Sequence, residues 1–197
     1  MKALFEQVVF SVAGRDYLWE DVVLAAESRG DWARLRERAA EGFARLRRWE
    51  EEPEALEEGE IESAANEFRY DRDLISAEEM ETWLARWGLT AESWMDYVRG
   101  SLLRRKWSGD PTGIAETESS EPEFEEHLLA EAVCSGELRR LAETLAGRAA
   151  IASREAKERA AADPSGEPGH ADGAGRRDAT MERLALLEDT FRRFSER

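Results

Sequence analysis

At 197 residues the chain can hold one good core, or a core with appendages, and 42% hydrophobic with 37% charged residues suits a soluble, helix-rich protein. A formal charge of −16 argues against unassisted binding to nucleic acid or to an anionic membrane, since both would be repelled. The single cysteine, Cys134, rules out an internal disulfide and fits a reducing compartment.

The opening residues are apolar only in short runs, broken at Glu6 and Gln7. They are too short and too polar for the core of a signal sequence, and no run approaches membrane-spanning length. A cytoplasmic protein is therefore expected. Val8, Val9, Phe10 and Val12 have strand-forming side chains, and Ala13-Gly14 with Arg15-Asp16 supply turn chemistry. Tyr17, Leu18 and Trp19 are expected to return as a short strand before Glu20-Asp21 opens a first helix, which ends at Arg29-Gly30. Asp31 is expected to cap the next helix, on which Trp32, Leu35, Ala39, Phe43, Leu46 and Trp49 form one stripe. A third helix is expected from Pro53 to about Tyr70, its acidic run from Glu50 to Glu62 reading as a solvated face.

The stretch from Ile75 to Trp107 holds four of the seven tryptophans. Ser76 with Glu79 is a capping box, Gly88 a stop, and Thr90 a second cap, so two short helices joined by a Gly-Leu-Thr elbow are expected. Trp83, Trp87, Trp94, Met95, Val98, Leu102 and Trp107 are the candidates for an apolar groove that binds polypeptide, with Arg104-Arg105-Lys106 beside the last of them. The competing reading is ordinary core.

After Trp107 tryptophan and tyrosine disappear. Residues 108–122 read as a polar connector, and 123–160 as one long helix with Gly136 as a weak point. Residues 161–178 read as a flexible linker, and 179–197 as an amphipathic tail helix able to fold back or to join a second chain as a dimer. No phosphate-binding glycine loop and no CxxC pair is present, and no cofactor is expected. His127, Glu131 and Cys134, spaced by four and three, fall roughly on one helical face and are the one candidate metal or thiol set. With only two histidines in the chain, a small buried Cys134 among Leu and Ala is the simpler account.

The order of these motifs from Glu67 to Trp107, Ser76 to Glu79, then Gly88-Leu89-Thr90, then Trp94, resembles the N-terminal chaperone domain of SurA-type, parvulin-associated proteins. The early hairpin is similar too, with Gly14 at the turn and Asp21 in the first helical turn, so the likeness covers roughly residues 8 to 107. It implies a mainly α fold, a helical domain (1–107) with a short N-terminal β-hairpin and a returning long helix. It also implies a groove for unfolded or extended polypeptide, here without the prolyl-isomerase domain. Related stand-alone domains suggest a precursor peptide and its modifying enzymes as partners. A metal- or thiol-dependent enzyme subunit using His127, Glu131 and Cys134, and a structural subunit assembled through its tail, are the alternatives.

Overall fold

The computed structural model describes residues 2–109 and 122–162. The expected tail helix, and nearly all of both linkers, lie outside those residues. Contacts divide the chain after Ile151 into one unit of residues 1–151 and a second from Ala152 onward.

A short helix α1 (Lys2–Phe5) precedes the antiparallel pair β1 (Val8–Val12) and β2 (Arg15–Leu18). Ala13 (φ 52°) and Gly14 (φ 79°) both take the left-handed conformation, the backbone that lets a two-residue turn follow the twist of its strands. Phe10 stacks on its register partner Tyr17 with ring centroids 4.8 Å apart. Trp19, expected in the strand, instead begins α2 (Trp19–Glu27). The Asp21 carboxylate accepts the Leu18 N–H at 2.9 Å, and that early cap ends the strand one residue sooner.

In α3 (Asp31–Glu51) the cap also differs from expectation. Gly30 is the N-cap, and Asp31 spends its carboxylate on Arg29 (2.8 Å) and Arg34. A 3-10 turn at Pro53–Ala55 holds proline's ring, and α4 (Glu58–Tyr70) begins only after it. The next two helices fall where their caps place them. In α5 (Ala77–Trp87) the Glu79 N–H donates to Ser76 Oγ at 3.1 Å, and the Ser76 N–H donates back to the Glu79 carboxylate at 2.8 Å. Gly88 closes the helix at φ 65°, and Thr90 Oγ1 accepts the Ser93 N–H at 3.0 Å to start α6 (Ala91–Lys106).

The single long helix expected from Phe124 is two. Gly136, at φ 78°, turns the chain between α7 (Pro122–Cys134) and α8 (Glu137–Ala162). Left-handed backbone ends an α-helix, and the weak point in the pattern is a true break. The protein is thus mainly helical, with a short N-terminal hairpin and a long last helix, as expected. Among the described residues no helix is long and apolar enough to cross a membrane.

Within residues 1–151 the core sits where α3, α6 and α7 meet. Leu35 and Ala39 from α3, Val98 from α6, and Phe124 and Leu128 from α7 are all buried there. Each large apolar side chain buried this way contributes about 1.5–3 kcal/mol. A smaller cluster of Leu46, Leu56 and Leu103 lies toward the other ends of α3 and α6. From Ala152 on, the described residues are the last turns of α8, and residues 152–161 are exposed or half-buried.

Candidate functional site

The tryptophans of the α5–α6 hairpin pack on two apolar clusters, Trp83, Trp87 and Trp94 on the main core and Trp107 on the smaller one. Trp83 and Trp94 both meet the Phe68 ring, at 5.6 and 5.8 Å between centroids, and Trp94 is buried. Trp87 tilts against Trp19 at 5.5 Å. Trp107 ends α6 in the smaller cluster, with the Arg48 guanidinium 4.3 Å above its ring. Val98 is buried, while Met95 and Leu102 are half-buried against the core. Leu102 also lines a wide, open depression of about 560 Å³ between α4 and α6, together with Leu56, Glu60, Arg105 and Lys106. Trp83, Trp87, Trp94, Met95, Val98 and Leu102 thus pack on the main core, and Leu102 joins them to the smaller cluster that holds Trp107.

His127, Glu131 and Cys134 do share a face of α7, and all three are buried. What lies opposite decides their chemistry. Arg104 on α6 donates to both oxygens of Glu131, Nη1 at 3.0 Å and Nη2 at 2.8 Å, and Arg38 Nε on α3 lies 3.2 Å from the same carboxylate. A carboxylate hydrogen-bonded at both oxygens by one guanidinium, with a second positive charge beside it, has its charge matched. The Cys134 thiol is pushed up to about 12 by burial, which keeps it protonated and poor as a nucleophile or ligand. Among the described residues no three His, Cys, Asp or Glu side chains are grouped to hold a metal ion. The metal set suggested by spacing alone is thus an ion-paired acid and a sealed thiol, leaving His127.

His127 has a different environment. Its ring is 4% exposed, and neither Nδ1 nor Nε2 has a hydrogen-bond partner. It is wedged at the crossing of α3 and α6, where both helices offer glycine. A methyl group placed on Gly42 would come within 3.0 Å of Nε2, and one on Gly100 would stand 3.8 Å from Cε1. The Phe43 ring lies 5.7 Å away. Burial, then the nearby Arg104 charge, pull its pKa down to about 4, so the ring is neutral at neutral pH.

The same ring lines a cleft of about 370 Å³ between α3, α6 and α7. Phe43 and Trp49 form its aromatic part, and Glu50, Glu92, Asp96, Glu123 and Glu126 bring carboxylates to it from all three helices. Arg47 donates to Glu123 at 2.8 Å and lies over Phe43; Arg99 donates to Asp96 at 2.8 Å and lies over Trp49. Burial raises the Asp96 pKa despite Arg99, and the charges of Glu92 and Glu50 push the same way. Glu50, Glu92 and Glu126 have no paired cation among the described residues. Comparison with protein-family models, curated proteins and solved structures gives no match.

Proposed function

We propose that this chain is a non-catalytic polypeptide-binding module, a chaperone-like or adaptor protein that receives an extended segment of another chain. The observation that carries the reading is the α3–α6–α7 cleft, which sets two aromatic rings among five carboxylates on a chain of net charge −16. Large aromatic surface beside charge suits a segment that alternates apolar and basic residues. The acidic rim would draw such a segment in and speed encounter, an effect that weakens with salt. The half-buried Trp83, Trp87, Met95, Leu102 and Trp107 would add secondary apolar contacts on neighbouring surfaces. A sealed, protonated Cys134 favours binding over thiol chemistry.

In its narrower form the module escorts a precursor peptide to modifying enzymes in the cytoplasm, the setting implied by the resemblance to SurA-type N-terminal domains. The test is a tryptophan-emission titration of the full chain with extended peptides. Peptides mixing basic and apolar residues should shift the emission and saturate, and added salt should weaken them. A flat response to all of them opposes the proposal.

A further inference from the structure

We infer that the outer edge of β1 is a strand-addition site, where an extended segment of another polypeptide pairs with Ser11 through backbone hydrogen bonds and turns the hairpin into a three-stranded sheet. The site gives a second contact to the segment whose binding is proposed above, and it rests on that reading for the kind of partner.

Three observations lead to it. The first is where the backbone groups of β1 go. Val12 and Arg15 flank the two-residue turn and form a hydrogen-bonded pair, so the next pair along the ladder, Ser11 and Asp16, is a non-bonded one. The N–H and C=O of Ser11 therefore point away from β2. Among the described residues no backbone hydrogen bond joins β1 to any element but β2, and Ser11 is exposed. The second observation is the contrast between the strands. β2 carries Arg15 and Asp16, charges of the kind that keep a free edge from pairing with other chains. β1 reads Val-Val-Phe-Ser-Val, with no charge and no proline, and Val8 stands 55% exposed. Its one guard is the bulge between Val8 and Phe10, which leaves the stretch from Phe10 to Val12 in regular register. The third is the weakness of the hairpin itself. Two strands alone are marginal in water, and this turn places Ala13 at φ 52°, a left-handed conformation that asparagine or glycine takes more easily. Val9 and Phe10 anchor β1 on the core, which holds the edge in place for a third strand.

The chemistry of the partner follows from the pleat. Side chains of an added strand alternate between the two faces of the sheet. Those on the side of Phe10 and Val12 lie beside half-buried apolar surface, where Phe10 stacks on Tyr17, and those on the side of Ser11 lie in solvent. An alternation of apolar and polar residues is thus the pattern this edge takes, and it is the same alternation that suits the cleft. The polar positions are basic or neutral, because a chain of charge −16 repels acidic ones. That repulsion also disfavours a second copy of this chain, although its β1 would offer a similar strand.

The test uses the full chain with a peptide of about eight residues alternating lysine and valine, and two derivatives N-methylated at every lysine or at every valine. In an extended segment the N–H groups of alternate residues face opposite edges, so each derivative blocks one edge and spares the other. By calorimetry one derivative should bind at least about tenfold more weakly than the parent peptide and the other about as well, since only one edge meets Ser11. By NMR the parent peptide should slow hydrogen exchange at the Ser11 amide at least about tenfold. Equal binding of the two derivatives, whether strong or weak, would overturn the assignment, and so would an unchanged Ser11 amide. Slowing at Ser11 that grows with protein concentration in the absence of peptide would give the edge to a second copy and overturn it too. If the parent peptide shifts tryptophan emission while Ser11 is unaffected, the edge fails and the polypeptide-binding reading stands. If Ser11 is slowed while emission stays flat, the edge stands and the reading built on the cleft fails.

Discussion

The α5–α6 hairpin and the α3–α6–α7 junction share a helix, yet different forces hold them. The hairpin is assembled from contacts between near neighbours in the chain, with Ser76 and Glu79 exchanging hydrogen bonds, Gly88 ending one helix, and Thr90 starting the next. The junction is assembled from contacts across the fold, where Arg104 reaches Glu131, Arg38 joins them, and His127 fits between two glycines. Local capping contributes about 1 kcal/mol per motif and fails gently. A buried ion pair contributes little net stability while intact but is costly to break. The hairpin should therefore set where helices start, and the junction should decide whether they stay packed.

The largest effect should come from breaking the pair at the junction. Arg104→Met leaves Glu131, 1% exposed, with Arg38 as its remaining cation, and should cost about 3–5 kcal/mol in urea denaturation. Adding Glu131→Leu should recover much of that loss, because the uncompensated charge is gone. A single variant within about 1 kcal/mol of the native chain would remove the contrast between the two regions.

Acid should act on the junction as well. His127 has a pKa of about 4 in the folded chain, against an ordinary 6.5. Above pH 6.5 the ring is neutral in both states and pH has no leverage through it. Below that value the unfolded chain takes up a proton that the folded chain refuses, so stability falls until the pH reaches about 4, by about 3 kcal/mol in total. The comparison to make is native against His127→Leu, by denaturation at several pH values across that window. The difference in their slopes should isolate the ring from the carboxylates around it, and parallel slopes would show that it does not titrate as described.

The smallest effect belongs to the hairpin. Ser76→Ala should cost about 1 kcal/mol, Thr90→Ala a similar amount, and each should add to Arg104→Met without coupling. A cap substitution that costs as much as the loss of Arg104 would mean the hairpin carries the packing too.

What could be read from the sequence follows the same division. Capping boxes and glycine stops act over three or four residues, so Ser76, Gly88 and Thr90 announce themselves, and the stripe from Leu35 through Ala39 and Phe43 to Leu46 announces the buried face of α3. The break at Gly136 is visible as a weak point, but helical periodicity continues on both sides and masks it. The junction is not legible in this way. Arg104 and Glu131 are 27 residues apart, and the cleft carboxylates come from three helices, each of which reads alone as a solvated face. Helical spacing reports that His127, Glu131 and Cys134 share a side of α7; it carries no information about the arginines and glycines that meet them. The same limit applies to the tryptophans: spacing places Trp83 and Trp87 one turn apart but does not say that the first meets Phe68 and the second Trp19.

The most direct test of the central claim, that the cleft beside His127 receives a basic segment, is a ¹⁵N-histidine NMR titration with an arginine-containing extended peptide. The resonances lost in His127→Leu identify that ring, and the account predicts that they shift and saturate at the same peptide concentration as the tryptophan emission. Saturating emission with the His127 nitrogens unmoved would place the peptide elsewhere and contradict the account.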